Sequence, residues 1–422
     1  MTPTIFIFLI YTKKMMKSSY IPPKKILEKY ANVLVNFALN SGKGVKKGEV
    51  VYLVAEESNK PLYLEVRKAI WKSGAHVISN FLPSNESSCN VDEDFYLHCK
   101  DHQLCFFPYH HLKGLIKQID HSIFINSETD IRSLQNINPR KILKRNKTFK
   151  PWMDWRNKKE NAGKFTWTVG SYGTEAMARE ANMSVREYWD QIIKACFLNE
   201  DNPVARWKKI YKELEKYRKR LNRMTIDRLH IEGKDVDLWI TVGKKRQWAY
   251  GSGRNIPSFE IFTSPDWRGT NGWVKFNQPL YIYGNVVEGI GLEFKDGVVV
   301  KSTARRNEKL LRQMIATEGA DRIGEFSMTD RRFSHITRFM ADTLYDENIG
   351  GRNGNTHIAL GNSYHDCYDG KANTVSKKTW SKLGFNNSSV HTDIVTTTPR
   401  IITAILKDDS KRVIYKNGKY CF

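Results

Sequence analysis

The first clear pattern along the chain is Val50–Ala55 (VVYLVA), an apolar run of strand length that reads as a buried strand. Pro61 then opens a helix, since proline is tolerated at the first helical positions, and Leu62, Val66 and Ile70 follow on one face. Gly74 ends that helix and His76–Leu82 resumes as a strand. Strand, helix, strand is a β-α-β unit. With Ser122–Asn126 as a further strand, it predicts an α/β N-terminal domain.

Asn138–Gly163 is polar, basic and weakly periodic, and it reads as a connector. Ser184-Val185-Arg186-Glu187 fits a capping box, in which the serine and the glutamate each satisfy a free backbone N–H. Trp207, Ile210, Leu214, Tyr217 and Leu221 step by three and four, which predicts an amphipathic helix with a basic outer face. From Val236 the texture changes and strands dominate. Ile290, Leu292 and Phe294 alternate, Asp296-Gly297 follows, and Val298 and Val300 alternate again, which is a strong hairpin signal. A helix over Asn307–Thr317 comes next. The expected organisation is an α/β N-terminal domain (16–160), a helical connecting region (161–230) and an α+β C-terminal catalytic domain with largely antiparallel strands (231–422).

Composition adds bounds to this picture. A chain of 422 residues favours two domains, and 40% hydrophobic with 12% aromatic residues excludes wholesale disorder. The formal charge of +23 is uneven: 40 basic and 24 acidic residues precede Ile231, while 28 and 21 follow from there. Such an excess suits either a nucleic-acid or anionic-membrane surface or a lysine-rich solvated face. No nucleic-acid motif accompanies it, so the solvated face is preferred. Gly42, Gly44 and Gly48 precede a strand rather than follow one, which rules out a dinucleotide fingerprint. Six scattered cysteines form no CxxC pair and point to a reducing compartment, hence a cytoplasmic protein. Cys99, His102 and Cys105, with His98, match no common zinc spacing. The apolar run Ile5–Tyr11 falls short of the roughly 20 residues that span a bilayer. Lysines follow it where a signal would carry small residues, so a start at Met15 or Met16 is the reading preferred here.

Candidate chemistry gathers in four segments of the C-terminal half: Asn255–Thr263, Gly324–Met328, Asp346–Tyr364 and Val390–Ile394. Glu260 stands between Phe259 and Ile261, and Glu325 between Gly324 and Phe326. A lone carboxylate there is either solvent-facing or, if buried, paired or metal-bound. His391 and Asp393 are two apart on a strand, so both aim at one face; this suits a divalent metal or a plain hydrogen bond. Glu260, Glu325, Glu347 and Asp393 carry about four negative charges when ionised, which two divalent cations would neutralise, with His357 and His391 completing the shells. Mixed oxygen and nitrogen ligands suit zinc, cobalt or manganese. Spacing alone does not bring these groups together.

Several of these segments, in their order along the chain, resemble the thermophilic-type metallo-aminopeptidases (aminopeptidase T, aminopeptidase S and PepS). They are Arg254-Asn255-Ile256-Pro257-Ser258 into Glu260-Ile261-Phe262-Thr263, Ile323-Gly324-Glu325, Leu344-Tyr345-Asp346-Glu347-Asn348, His357-Ile358-Ala359-Leu360-Gly361 and His391-Thr392-Asp393. Weaker similarity runs through Thr174–Ala178 and Asn182–Ser184. The resemblance implies a two-domain protein, usually a homodimer, that releases single residues from peptides with a free N-terminus. It implies metal ligands at Glu260, Glu325, His357, His391 and Asp393, with Glu325 bridging two metals and Tyr364 as a catalytic phenol. Glu347 is implied as a further ligand or as a nearby carboxylate that moves a proton. No membrane or nucleic-acid partner is expected. The competing readings are a basic nucleic-acid or anionic-surface binding protein on a peptidase-like scaffold, and a different metal hydrolase such as a dipeptidase or amidase.

Overall fold

The computed structural model describes residues 20–85, 89–251 and 253–422. The apolar run Ile5–Tyr11 and the alternative start at Met15 or Met16 lie outside them. Val50–Glu56, His76–Leu82, His121–Asn126 and Thr166–Ser171 form a parallel sheet, which Asn255–Ile256 joins as a fifth strand. The order across it is His76–Leu82, Val50–Glu56, His121–Asn126, Thr166–Ser171, Asn255–Ile256. One face packs Val51, Leu53 and Ile123 against Leu27, Tyr30 and Leu34 of helix Lys24–Asn36 and Leu62, Val66 and Ile70 of helix Lys60–Lys72. On the other, Tyr52 and Ile78 meet Leu115, Ile116 and Phe165. Covering on both faces accounts for the unbroken apolar run of Val50–Ala55.

The stretch expected as a connector, Asn138–Gly163, is instead helical over Pro139–Thr148 and Lys150–Asn161. Its apolar positions are few, and they are used for packing: Ile142 sits with Tyr96, Leu104 and Ile137, and Trp152 and Trp155 lie against Leu115 and Phe165. The lysines and arginines between them mask the period. The region 161–230, expected as a helical connector, also supplies strand Thr166–Ser171 to the parallel sheet, alongside helices Glu175–Glu180, Val185–Ala195 and Pro203–Arg223. The Ser184–Glu187 capping box is present.

Beyond that helix the chain builds antiparallel sheets. An eight-stranded one runs from Val298–Thr303 through Gly291–Lys295, Asp266–Lys275, Val236–Thr241, Ile226–Gly233, Ile401–Leu406 and Lys411–Lys416 to Lys419–Tyr420. The expected hairpin is there, and Asp296 and Gly297 both adopt the positive φ (49° and 87°) that its two-residue turn requires. A five-stranded sheet has the order His391–Thr396, Asn355–Gly361, Ile323–Thr329, Glu260–Thr263, Ala249–Tyr250.

The halves are welded by aromatic packing around helix Pro203–Arg223. The Trp207 ring stacks on Phe259 at 5.2 Å between centroids and on Phe37 at 5.8 Å, and meets Phe197 edge-on at 5.2 Å. Phe37 belongs to the N-terminal half, and Phe259 immediately precedes Glu260. Replacing Trp207 by alanine removes a fully buried ring at this junction, so Trp207→Ala is expected to cost about 3–5 kcal/mol of stability. Equilibrium urea unfolding reads the loss; an unchanged midpoint would show that the junction does not depend on this ring.

Candidate active site

In an antiparallel sheet, directly paired residues share a face and successive residues alternate. The register of the five-stranded sheet pairs Glu260 with Thr329, Ser327 with His357, Glu325 with Ala359, Ala359 with Asp393 and Gly361 with His391. All five candidate ligands of this sheet therefore stand on one face. The opposite face is apolar and buried: Ile261, Phe326, Met328, Ile358, Leu360 and Ile394. Small partners, Ala359 and Gly361, leave room beside Asp393 and His391. Strict alternation would put Glu325 on the face of core residue Ile323. A register shift between the two, at Gly324, resolves the conflict. A side chain at Gly324 would run into the carbonyl oxygens of Gly361 and Asn362.

The ligand atoms converge. His357 Nε2 lies 3.3 Å from Glu260 Oε2, 3.4 Å from Glu325 Oε1 and 3.8 Å from Asp393 Oδ1. His391 Nε2 lies 3.4 Å from Glu325 Oε2 and 3.5 Å from Asp393 Oδ1. Glu347 caps the C-terminal end of helix Thr343–Asp346 and joins His357 and Asp393 in a third close grouping. The Tyr364 ring packs 4.6 Å from that of His391 and 5.8 Å from that of Phe262. Every residue named from the sequence is thus at one place, a cleft also lined by Trp167, Arg254 and Asn255. Glu325, Glu260, Glu347 and His357 are only 3, 5, 5 and 1% exposed, so they are not the solvent-facing strand residues each might be when taken singly.

The supporting groups were not read as functional from the sequence. Ser327 Oγ donates to Glu260 Oε2 at 2.8 Å and Ser258 Oγ to Glu260 Oε1 at 3.3 Å. Asn255 Nδ2 donates to Glu347 Oε1 at 2.8 Å. Asn348 accepts the Phe259 N–H at 2.7 Å and donates to the Glu347 carboxylate at 3.4 Å, tying the helix end that carries Glu347 to the strand that carries Glu260. Arg254 is held by Glu160 at 2.9 Å and by Asp366. A visible signal for Ser327 was its place two residues after Glu325; Glu160 has none, lying 94 residues from Arg254. In the Gly- and Asn-rich interval after Glu347, a side chain at Gly354 would run into the Tyr415 hydroxyl and the Thr329 carbonyl oxygen.

A model of the thermophilic metalloprotease family (M29) matches residues 23–420. The chain belongs to this family. It is therefore a metal-dependent hydrolase of peptide bonds. Aminopeptidase PepS of Streptococcus thermophilus is 27% identical, over 94% of this chain and 98% of that one. Aminopeptidase T of Thermus thermophilus is 27% identical, over 70% and 75%. The solved structure of wild-type AmpT from Thermus thermophilus superposes with a TM-score of 0.78 over 94% of this chain and 100% of that one, at 22% identity, so the fold is shared.

The electrostatics fit a divalent metal at this M29 site. His391 Nδ1 stands 2.8 Å from the Asn362 carbonyl oxygen, which only accepts, so in the neutral ring the proton sits on Nδ1 and Nε2 is free to ligate. Burial, with Glu325 and Asp393 adding, raises Glu260 to about 7. Burial, with Glu260, Asp393 and Glu325 adding, pushes Glu347 well above the carboxylate range. Burial pulls the His357 imidazole down, but Glu325, Glu260 and Asp393 outweigh it and lift it to about 9. His391 likewise rises against burial through Asp393 and Glu325. Burial would raise Asp393, but the two imidazoles outweigh it and hold it below its ordinary value. Without a bound cation the cluster retains protons instead.

Two expectations follow from this geometry. Ser327→Ala removes a donor that orients Glu260, and is expected to weaken divalent-metal binding roughly 10–100-fold in calorimetric titration; unaltered affinity would remove Ser327 from the support of the site. In the metal-free protein, carboxyls with raised folded pKa lose stability as pH rises from the ordinary 4.5 through about 7. The imidazoles' contribution is complete below the ordinary 6.5 and is lost as pH rises through about 9. Asp393 acts in the opposite sense, but only below its ordinary 3.8. Chelated protein is therefore expected to lose stability steadily between about pH 5 and 9. Saturating metal should flatten or reverse that slope in urea-midpoint measurements, and a midpoint rising with pH under chelation would contradict it.

Proposed function

We propose that this chain is an aminopeptidase that hydrolyses the N-terminal peptide bond of peptides with a free amino group, using two divalent cations. The observation that carries the reading is that Glu325 belongs to two ligand triads at once, Glu260–Glu325–His357 and Glu325–His391–Asp393. A carboxylate with one oxygen toward each imidazole suits a bridge between two cations. The donor set of carboxylate oxygens and imidazole nitrogens suits zinc, cobalt or manganese. When bound, such cations activate a water and polarise the scissile carbonyl.

The remaining work falls to the chain's own groups. Burial, with Glu325 and Asp393, raises the Tyr364 phenol well above its ordinary value, so it stays protonated and donates its O–H to the developing oxyanion. Glu347, oriented by Asn255 and Asn348, takes up the proton released at the water and returns it to the leaving amine. A carboxylate-rich wall favours a free α-ammonium group and gives nothing to a blocked one. The names of the relatives, PepS and aminopeptidase T, agree with this direction of attack.

The reading extends to a homodimer acting in the cytoplasm. The six cysteines are free thiols, compatible with a reducing compartment. Among the described residues no helix is long and apolar enough to cross a membrane.

The test is hydrolysis of a short unblocked peptide beside its N-acetylated twin, after chelation and after adding back zinc, cobalt or manganese. Metal-restored release of the first residue from the free peptide alone is the expected result, with Glu325→Ala folded but inactive. Equal cleavage of both peptides would point to a different hydrolase, and normal turnover by Glu325→Ala would sink the shared-ligand assignment.

A further inference from the structure

Helix Lys150–Asn161 touches two residues that line the cleft, Arg254 and Trp167. Near its end Glu160 accepts from Arg254 at 2.9 Å and from the Trp167 indole N–H at 3.1 Å. One turn earlier, the half-buried Arg156 sets its guanidinium carbon 5.7 Å from the centre of the Trp167 ring and 5.6 Å from that of Phe165. Trp167 itself lines the cleft. Three other arginines near or in the core meet an acid: Arg254 has Glu160 and Asp366, Arg332 has Asp330 and Arg400 has Asp235, while Arg145 and Arg246 give their N–H groups to backbone carbonyls. Arg156 pairs with no carboxylate among the described residues, and its one polar contact is the Met153 sulfur at 3.8 Å. The acid that could have served it, Glu160, is already taken by Arg254 and Trp167.

Burial lowers the Arg156 pKa, with Glu160 and Tyr364 pulling the other way, but a guanidinium keeps its charge in either case. Five N–H donors in a planar fork, packed on aromatic rings and left without an oxygen acceptor, make a receptor for a carboxylate. A substrate whose amine sits at the acid cluster must send its following residues along the cleft, each reaching at most about 3.4 Å farther. A negative charge two or three residues from the N-terminus is the group such a wall would meet.

We propose that Arg156 receives a substrate carboxylate, so that the enzyme favours peptides carrying negative charge just beyond the scissile bond. The carboxylate is either the C-terminus of a di- or tripeptide or an acidic side chain. This assignment takes its direction from the aminopeptidase reading, with the amine at the metal ligands.

The experiment compares trialanine, its C-terminal amide, and the amide with aspartate in second place, on wild type, Arg156→Gln and Arg156→Lys. Turnover with added metal and calorimetric binding to the metal-free protein are both recorded. Wild type is expected to prefer at least one anionic peptide over the neutral amide by about tenfold, through KM and in binding, and Arg156→Gln to bring that ratio near one. Arg156→Lys should restore part of it. Loss of the trialanine preference alone assigns Arg156 to short peptides, and loss of the aspartate preference alone to acidic side chains. The same ratio in wild type and Arg156→Gln overturns the proposal. Binding that loses its preference in Arg156→Gln while no peptide loses its first residue upholds the carboxylate receptor and removes the aminopeptidase reading instead.

Discussion

Four carboxylates buried within a few ångströms of one another repel, and the rest of this molecule is arranged around that cost. Glu260, Glu325, Glu347 and Asp393 have two imidazoles between them, and the nearby Arg254 is already held by Glu160 and Asp366. Isolated buried charge costs several kcal/mol per ion even after relaxation. A sheet with one wholly apolar face meets that cost by making its position secure: the core under Ile261, Phe326, Met328, Ile358, Leu360 and Ile394 fixes the register, and the register fixes which side chains face each other. Hydroxyls and amides from Ser258, Ser327, Asn255 and Asn348 then satisfy the outer lone pairs. Divalent cations are what that arrangement still calls for.

The same constraint explains why the two halves are so closely joined. The segment Arg254–Glu260 does three jobs in seven residues. Asn255–Ile256 closes the parallel sheet against Val169 and Gly170, Phe259 stacks under Trp207, and Glu260 enters the cluster. Movement between the halves would displace Glu260 from the cluster, so the aromatic junction and the Arg254–Glu160 pair bear on the cluster's geometry as well as on stability. Glu347 is anchored from the other side, where Asp346 accepts the N–H groups of Met340 and Asp342 at 2.7 and 3.0 Å.

Local pattern carried much of this. The β-α-β unit, the Asp296-Gly297 hairpin and the Ser184 capping box each rest on a few adjacent residues, and each is in place. The pairing of His391 with Asp393 on one face was legible because a strand has period two. What period two could not foresee is the shift at Gly324, which lets Ile323 face the core and Glu325 the cleft; that depends on the backbone of Gly361 and Asn362 approaching from another strand. The helices over Pro139–Asn161 were missed because the few apolar residues that pack them are outnumbered by lysine and arginine. Glu160 and Arg156 were unreadable for the same reason: they lie in a stretch whose composition says surface, while Trp152 and Trp155 pack it against Leu115 and Phe165.

The formal charge of +23 has little bearing on the energetics of the cluster. At physiological ionic strength exposed charges are screened over about 8 Å, and the lysines of helix Pro203–Arg223 all stand on its solvated face. Charges decide chemistry here when solvent is kept from them. By that measure the relevant cations of the protein are two guanidiniums flanking Trp167, with Arg254 at 5.8 Å from the ring and Arg156 at 5.7 Å. One is bound between two acids and fixes the architecture. The other keeps its charge available against Trp167, which lines a cleft whose floor is acidic. A short peptide with its ammonium at one end and its carboxylate at the other meets the opposite sign at each, and that polarity comes from buried neighbours rather than from the net charge of the surface.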